Sequence, residues 1–486
     1  MLGGTRSAVN GEARTRHEDA TPSSPVQTTR LSRRRVLQIA GTGAAAAALY
    51  GGLALLPGPT RRGVAPPPGG YPRGQYQVHD YGVRVRVDPD SGVDVIIPPV
   101  WNLVITANLA RTPGTLERRR LEAALRAVEA AYAYAPSGVF PLVAYGLPYF
   151  RAHVPGDVFN DHLPVMTGAD AAPVAHPTGP PALLDAMRFA SDPPTTLLEA
   201  NEVAFHFRSD VLSYLRDVHA ALFGRSGTLA GQPAPAADLS DLFSVTSVRT
   251  GFVGAGLPRR LARAARLAVA DAIPEAAPLF MGFTSTQRLG QASEEAVSFD
   301  GKRDALLQPL TSARPGDYFA GGTTMHLSHL IEDLDRWYAL TYDQRAARMF
   351  HRYAVAPPGR VVVQTIWLNP NTAADDARTD LVIGHNEAVQ RGSRSREGQA
   401  LQLRVDFNTM DALDASGPTP GVHFLAFTPG SSIFHQSRQA MDAADLTGRY
   451  DVAPAANGIN AFIRATRRQN FLVPPRAHRA FPLTEL

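Results

Sequence analysis

The spacing of apolar residues in the first half of the chain predicts strands that alternate with two amphipathic helices. After the helix-start signal Thr112-Pro113, apolar residues recur at helical spacing from Leu121 to Tyr132, and a second helix is predicted over residues 211–223. Strand patterns cover residues 83–87, 101–110, 140–145, 201–207 and 243–248. The order strand–helix–strand, then strand–helix–strand, is typical of a ferredoxin-like unit.

The second half predicts the same order without a visible sequence repeat. Strands are expected at residues 319–327 and 422–427, and helices at residues 329–339, 433–441 and 460–465. Ile331, Leu334 and Trp337 support the helix over residues 329–339 by their spacing. The predicted fold class is therefore α+β, with two ferredoxin-like halves side by side in a dimeric α/β-barrel arrangement.

Proline, glycine and polar content divide the chain into five segments. We expect a disordered tail at 1–31, a leader at 32–58, a Pro/Gly linker at 59–75, and ferredoxin-like domains at 76–275 and 276–486. A long insertion at residues 155–194, rich in Pro, His and Asp, reads as either a lid or a disordered loop.

The leader carries the clearest short motif. Ser32-Arg33-Arg34-Arg35 opens a match to the twin-arginine export pattern, and an apolar stretch follows at residues 36–56. The competing interpretation is a basic segment before a membrane-spanning helix, since this stretch is long enough to cross a bilayer. We expect export by the twin-arginine translocase, to the extracellular side or to the outer face of the membrane. Cleavage of the leader and membrane contact through residues 36–56 stay open.

Composition narrows the possible chemistry. The sequence contains no cysteine, which excludes disulfides, thiolate catalysis and cysteine-ligated metal sites. Lys and Arg number 48 against 44 Asp and Glu, so the net charge is small. The basic residues are scattered and follow no aromatic stripe, so we expect no nucleic-acid partner.

Residues 384–407 carry the candidate chemistry. His385 follows a glycine at the end of a short apolar run, a basic loop is predicted next, and Arg404 interrupts an apolar strand pattern. An arginine in such a strand is costly to bury without a partner. A histidine and an arginine directed into one cavity would suit haem, because the first can ligate iron and the second can stabilise charge on bound peroxide.

This segment resembles the proximal-histidine and distal-arginine region of dye-decolourising (DyP-type) peroxidases. Residues 320–337, which include Gly-Gly-Thr-Thr, are similar to that family's Gly-Gly-Ser-Tyr strand and the helix after it. The Gly-Phe-Val-Gly element at 251–254 and the Pro-Pro-Arg-x-His tail at 474–478 are similar to a divergent, exported branch. The resemblance implies haem b held by His385 in the second half, with hydrogen peroxide and an unidentified reductant as partners.

One departure from the family pattern concerns the acid that handles the peroxide proton. The family's Gly-x-x-Asp-Gly corresponds here to Gly-Phe-Thr-Ser-Thr, so that Ser285 stands in place of the aspartate. A serine hydroxyl is not a general base near neutral pH without an activating partner. Asp406 lies two residues after Arg404, on the same face of a strand, and is the candidate substitute.

Each candidate has a structural alternative. His385 is either the iron ligand or a surface-loop residue, and Arg404 is either the distal charge or half of an ion pair with Asp406 or Asp411. Asp442 and Asp445 are candidate carboxylates to orient the ligand histidine. His326 and His329 fall on opposite faces of a strand and make a poor metal pair. His206 is interpreted as a hydrogen-bonded histidine of the core or of a cleft.

Two functions from different classes follow. The first is an exported haem peroxidase of the DyP type that uses Arg404, Asp406 and Ser285. The second is a non-catalytic relative, either a haem carrier or a haem-free binding protein at the cell surface. A hydrolase that uses Ser285 lacks the Gly-x-Ser-x-Gly motif.

Overall fold

A closed barrel of eight antiparallel strands forms the centre of the molecule. The computed structural model describes residues 64–87, 94–167, 179–283, 291–301, 310–351, 371–395, 398–412 and 417–486. The barrel strands run in the order β10-β13-β12-β9-β3-β6-β4-β14, and β14 pairs with β10 to close the ring. In chain order the strands are β1 (Arg84–Val87), β2 (Asp94–Ile97), β3 (Trp101–Leu109), β4 (Phe140–Gly146), β5 (Leu197–Leu198), β6 (Val203–Ser209), β7 (Thr228–Leu229), β8 (Gln232–Pro233), β9 (Phe243–Phe252), β10 (Thr323–Glu332), β11 (Leu403–Arg404), β12 (Phe407–Ala412), β13 (Pro418–Thr428) and β14 (Ile463–Val473).

Each half of the chain contributes four neighbouring barrel strands. Counted in chain order, the fourth barrel strand of each half pairs with the first, and the third lies between the first and the second. The resulting strand orders are β9-β3-β6-β4 and β14-β10-β13-β12. The halves meet at two short seams. One is the pair Asn408–Phe252, and the other consists of Phe471 with Gly146 and Leu472 with Tyr145. The α+β class predicted from the sequence is confirmed.

Helices cover the outside of the barrel. They are α1 (Thr115–Ala131), α2 (Leu147–His153), α3 (Gly156–His162), α4 (Leu212–Phe223), α5 (Leu257–Ala264), α6 (Leu334–Ala339), α7 (Tyr342–Phe350), α8 (Thr372–Asp380), α9 (His385–Ser393), α10 (Ser431–Asp442) and α11 (Ala444–Tyr450). Helices α1 and α4 follow the first and third strands of the first half, and α10 follows the third strand of the second.

Alternating residues of the strands fill two separate cores. Leu103 and Ile105 of β3 belong to the outer core together with Leu121 and Leu125 of α1. Val104, between them in sequence, belongs to an inner core that unites residues of both halves, among them Leu142, Met325, Leu327, Leu425 and Phe427. Period-two alternation therefore gives every barrel strand an inward and an outward face, each with its own partners.

Three sequence predictions in the second half are wrong. The predicted helix over 329–339 is strand as far as Glu332, and helix α6 begins only at Leu334, after Asp333 accepts a hydrogen bond from the backbone N–H of Arg336. The predicted helix over 460–465 is a short 3-10 turn that leads into β14. The predicted basic loop begins too early, because Arg391 still lies in helix α9, whereas Arg394 and Gly398 follow the helix.

The N-terminal segments are only partly described. The tail, the twin-arginine motif and the apolar stretch 36–56 lie outside the described residues. Residues 64–75 contact the folded part, since Gln75 donates to the Val143 carbonyl (3.1 Å) and Arg73 pairs with Asp300 (2.6 Å). Within the described ranges no helix combines the length and the apolar character that crossing a bilayer requires.

Candidate functional site

A large cavity lies between the outward face of the second-half sheet and helices α9 and α10. Its walls include Val422 and Phe424 of β13, Leu330 of β10, His385 of α9 and Met441 of α10. The empty space, counted out to its open mouth, is about 1180 Å³. This figure includes open solvent at the mouth of the cavity.

The cavity lining is mainly apolar and aromatic. Side chains from five separate segments contribute to it, namely Met281, Phe283, Phe350, Phe424, Phe434 and Ile459. The ring of Phe283 contacts that of Phe350 edge-on, with 5.6 Å between centroids. Such a wall suits a flat, hydrophobic ligand, because burial of apolar surface stabilises the complex while polar groups are left to set orientation.

Local backbone contacts fix the position of His385 at the start of α9. Gly384 precedes the helix with extended backbone, and Ile383 before it donates to the Ala456 carbonyl (3.0 Å) and accepts from Gly458 (2.7 Å). Gly458 has a φ of +55°, and a β-carbon there would come within 3.3 Å of the His385 backbone. A glycine therefore allows this segment to approach the helix start closely.

His385 is a neutral imidazole in this environment. Burial, together with the charges of Arg404 and Arg438, lowers the pKa of His385 to about 3. Its Nδ1 is buried and, in the part of the chain that the structure describes, has no hydrogen-bond partner. A neutral histidine that borders a cavity is able to ligate a metal, which requires an unprotonated ring nitrogen.

Arg404 and Asp406 also line the cavity. Arg404 is held by strand pairing with Ala426 and by its own N–H, which donates to the Gln291 side chain (2.8 Å). Asp406 accepts a hydrogen bond from the backbone N–H of Leu425 (3.2 Å). The two residues share the outward face, while Leu403 and Phe407 on either side of them belong to the inner core.

The protonation of Asp406 is poised near neutrality. Burial raises its pKa to about 7, although the charge of Arg404 and the Leu425 N–H both favour the carboxylate. Burial also lowers the pKa of Arg404, a shift that the Asp406 charge opposes. A buried acid with a pKa near 7 beside a guanidinium is a suitable proton acceptor and donor at physiological pH.

Sequence reasoning missed a second acid of the cavity, Glu332. It is the last residue of β10, it is buried, and its Oε2 has no hydrogen-bond partner among the described residues. Burial raises its pKa to about 8, so Glu332 is mostly protonated at pH 7. The available signal was strand alternation, which places Glu332 on the same face as Leu330, but the predicted helix over 329–339 concealed it.

A network of paired charges closes one end of the cavity. Arg468 binds Asp192 through two nitrogens (2.8 and 2.6 Å), and Arg438 pairs with Asp442 and contacts the Ser191 hydroxyl. Asp445 pairs with Arg391. Asp442 and Asp445, the carboxylates expected to orient His385, thus bind arginines instead.

The other sequence candidates lie elsewhere or are not described. Ser285 lies outside the described residues. His206 is buried, and its Nε2 lies 2.9 Å from the Asn102 side chain. His326 faces outward and stacks on Phe434, whereas His329 faces inward, where Asp411 also lies, 3.7 Å from it. Asp411 is therefore on the other side of the sheet from Arg404.

Comparison with known families assigns the chain to one whose function is unknown. The model of that family, DUF7405, matches residues 99–475, so the protein belongs to it. A comparison with curated proteins gives no match.

Several solved structures of DyP-type peroxidases are similar to this chain. The enzyme from Cellulomonas bogoriensis is 18% identical, with a TM-score of 0.47 over 80% of this chain and 94% of its own. The encapsulated enzyme from Mycobacterium smegmatis is 14% identical, with a TM-score of 0.45 over 79% and 95%. The protein from Bacteroides thetaiotaomicron is 12% identical, with a TM-score of 0.43 over 82% and 96%.

Proposed function

We propose that the cavity binds haem b, with His385 as the axial ligand of the iron, and that the protein uses it for peroxide-dependent oxidation. One observation carries the proposal: a neutral histidine, an arginine and an acid of near-neutral pKa line the same apolar cavity. An imidazole ligand together with polar groups that tune the pocket is the pattern by which proteins adapt haem to peroxide chemistry.

The residues present fit this group. The Nδ1 of His385 is buried and, as far as the chain is described, lacks a partner, so the ring has a nitrogen to spare. The aromatic and aliphatic walls suit a macrocycle.

The protein's own side chains have distinct tasks in this proposal. Haem, when bound, supplies iron chemistry that oxidises a reductant at the expense of hydrogen peroxide. Arg404 supplies a positive charge that stabilises the negative charge on the departing oxygen of peroxide. Asp406 accepts the peroxide proton when ionised, and Glu332, which is protonated at pH 7, can donate a hydrogen bond. Ser285 can hold a water molecule but does not titrate in the useful range.

The second candidate function is a non-catalytic haem carrier or a haem-free binding protein. Its support is the serine that replaces the family's acid. The two candidates differ in their reactivity with peroxide. The haem-free form of the second candidate would also lack the absorption of haem.

Two further inferences accompany this function. We infer that each four-strand half is a ferredoxin-like unit, because both show the same strand order with helices on the outer face. We also propose export by the twin-arginine translocase, which carries folded proteins and would suit a chain that acquires its cofactor before export. The motif at Ser32–Arg35 supports that route.

An absorption spectrum of protein purified from a haem-supplied host tests the proposal. We expect a Soret band from the parent, and loss of haem or of the histidine-ligated spectrum from His385→Ala. His435→Ala is the matched control. His435 lies on α10 and contacts Asn470, yet it is not part of the cavity wall, so its removal should leave the spectrum unchanged.

Two outcomes would overturn the assignment. A parent without a Soret band after haem reconstitution would end the haem proposal and leave the haem-free binding protein. An unchanged spectrum and haem content in His385→Ala would show that another residue ligates the iron. Far-ultraviolet circular dichroism of each variant separates loss of ligand from loss of fold.

A further inference from the structure

A second cluster of ligand-type side chains lies inside the barrel, behind the cavity. His329 of β10 and His423 of β13 face each other across paired strands, and Asp411 of β12 lies beside them. Both histidines are almost fully buried, at 2% and 1% exposure. They belong to the inward face, since Leu327 and Leu425, two residues away, are part of the inner core. Neighbouring residues Leu330, Val422 and Phe424 line the cavity on the opposite face.

The distances from the Asp411 carboxylate to the two imidazoles fit a shared metal ion better than hydrogen bonds. The Nε2 atoms of His329 and His423 lie 3.7 and 3.6 Å from the same oxygen, Oδ2 of Asp411. These distances exceed those of ordinary hydrogen bonds. Bonds of 2.0–2.2 Å to a tetrahedral ion would separate two ligand atoms by ~3.4 Å, whereas octahedral neighbours would be ~3.0 Å apart. The observed spacing is closer to the tetrahedral value.

The hydrogen bonds of Thr466 determine the tautomer of His329. The Thr466 hydroxyl donates to the His329 carbonyl (3.3 Å), because a carbonyl can only accept. Its oxygen therefore accepts from His329 Nδ1, 2.6 Å away. Nε2 is left with a lone pair directed towards a carboxylate oxygen. Two electron-rich atoms at this distance repel unless a cation lies between them.

Thr466 occupies this position because of a local irregularity in the sheet. Pairing between β10 and β14 shifts register at His329/Leu330, so that Thr466 is an extra residue on β14. Such bulges re-aim side chains, and here the bulged residue orients the candidate ligand. In metal sites the second nitrogen of a ligating histidine is commonly held by a hydrogen bond of this kind.

His423 provides a second and independent indication of a ligand. Within the described residues neither of its ring nitrogens has a hydrogen-bond partner, although the side chain is buried. Burial of an imidazole in this state is costly unless a further group satisfies it. Gly421 lies on the same face, and a β-carbon there would come within 2.3 Å of the Leu330 carbonyl oxygen, so this position admits no side chain.

The charged side chains around the two histidines, with Asp411 included, sum to no net charge. Arg249 binds Glu199 through one nitrogen at 2.6 and 2.7 Å, and Arg467 approaches Glu199 at 3.5 Å. These two arginines and two acids, Asp411 and Glu199, cancel. Asp411 is the ligand candidate with access to solvent, its side chain being 23% exposed. A cation can therefore enter on the Asp411 side and keep one position open to water.

We propose that His329, His423 and Asp411 bind one zinc ion inside the barrel, oriented by Thr466 and with the fourth position open to water. Two imidazoles and one carboxylate with an open position are a ligand set of zinc enzymes, and the near-tetrahedral spacing favours zinc over ions that prefer octahedral oxygen ligands. The site is separate from the cavity residues of the haem proposal and does not depend on it.

Elemental analysis of the full chain tests this directly. Protein dialysed against a chelator and then against zinc chloride should hold about one zinc per chain. Asp411→Asn and His423→Gln should each lower zinc affinity at least ~100-fold in competition with a chromophoric chelator, and Thr466→Val should lower it ~10–100-fold. Asp406→Asn, the same change on the opposite face of the sheet, should retain parental affinity.

Thermal unfolding of the parent is a second test, and it does not depend on whether the variants fold. Zinc binds only the folded chain in this proposal, so excess zinc should raise the melting temperature and chelator should lower it. Absence of zinc above background after reconstitution, no shift in the parent, or equal binding by Asp411→Asn would each overturn the site and leave a bound water among the three residues. Haem absorbance in the same samples reports on the other cavity separately, because zinc does not contribute to it.

Discussion

At the scale of single residues, burial controls the protonation state of the cavity side chains more than residue type does. His385, Asp406 and Glu332 line one cavity, and burial shifts each towards its neutral form. The result is a neutral imidazole in one cavity with two acids that titrate near pH 7 and 8 and with the charged Arg404. Acids tuned in this way are the usual basis of proton transfer in active sites.

Asp406 gives a prediction about pH. Its pKa of about 7 means that the ionised, proton-accepting form is scarce at pH 5 and predominates above pH 7. If the haem proposal holds, the rate of reaction with peroxide should increase from pH 5 to about 7 and then level off. Asp406→Asn should remove this increase and lower the rate ~10²–10⁴-fold, as measured by stopped-flow absorption.

Glu332→Gln is the matched control for Asp406→Asn. The pKa of Glu332 is raised to about 8, so Glu332→Gln should keep the inflection of the reaction rate near pH 7. If Asp406→Asn keeps the parental profile and Glu332→Gln loses it, the proton-accepting role belongs to Glu332. Retention of the profile in both variants would exclude both acids.

At the scale of elements, periodicity predicted the first half well because its helices pack by simple amphipathic stripes. In the second half the strand β14 was not predicted: its first residues were assigned to a helix over 460–465, and its sequence contains Arg464, Arg467 and Arg468. Arg468 is buried there only because Asp192, from a distant part of the chain, pairs with it. Partners of this kind cannot be read from local sequence, and the same holds for the closeness of Asp411, His329 and His423.

Helix α6 gives a prediction about stability. Trp337 is fully buried, and its indole N–H donates to the Met281 carbonyl (2.9 Å). Its ring also contacts Phe283, which lines the cavity. Trp337→Ala should lower the free energy of unfolding by ~3–5 kcal/mol, because it leaves a void and an unpaired carbonyl. Denaturant unfolding followed by circular dichroism measures the change.

An exposed position on the same helix, Asp335, supplies the control for Trp337→Ala. Asp335 is exposed on the same helix, so Asp335→Ala should change stability by no more than ~0.5 kcal/mol. A loss below ~1 kcal/mol in Trp337→Ala would contradict the packing described for α6.

At the scale of the whole molecule, the closed barrel gives one sheet two separate working faces. The outward face of β10 and β13 borders the proposed haem cavity, and the inward face of the same strands carries two of the proposed zinc ligands, His329 and His423. Because side chains alternate along a strand, residues one position apart, such as His329 and Leu330, serve different sites. The sequence predicted the residues of the first site in part, whereas the second depends on barrel closure and on the register between strands.

The full chain gives the last prediction, which concerns export. The twin-arginine receptor recognises a pair of guanidinium groups rather than charge alone, and Arg35 offers a shifted pair beside Arg33 and Arg34. Replacement of all three by lysine keeps the charge and should retain the protein in the cytoplasm, as judged by cell fractionation and immunoblotting. The matched control is a second arginine pair, Arg61 and Arg62, whose replacement by lysine should leave export unchanged because it follows the apolar stretch. Undiminished export of the triple variant would show that residues 32–38 are not the signal.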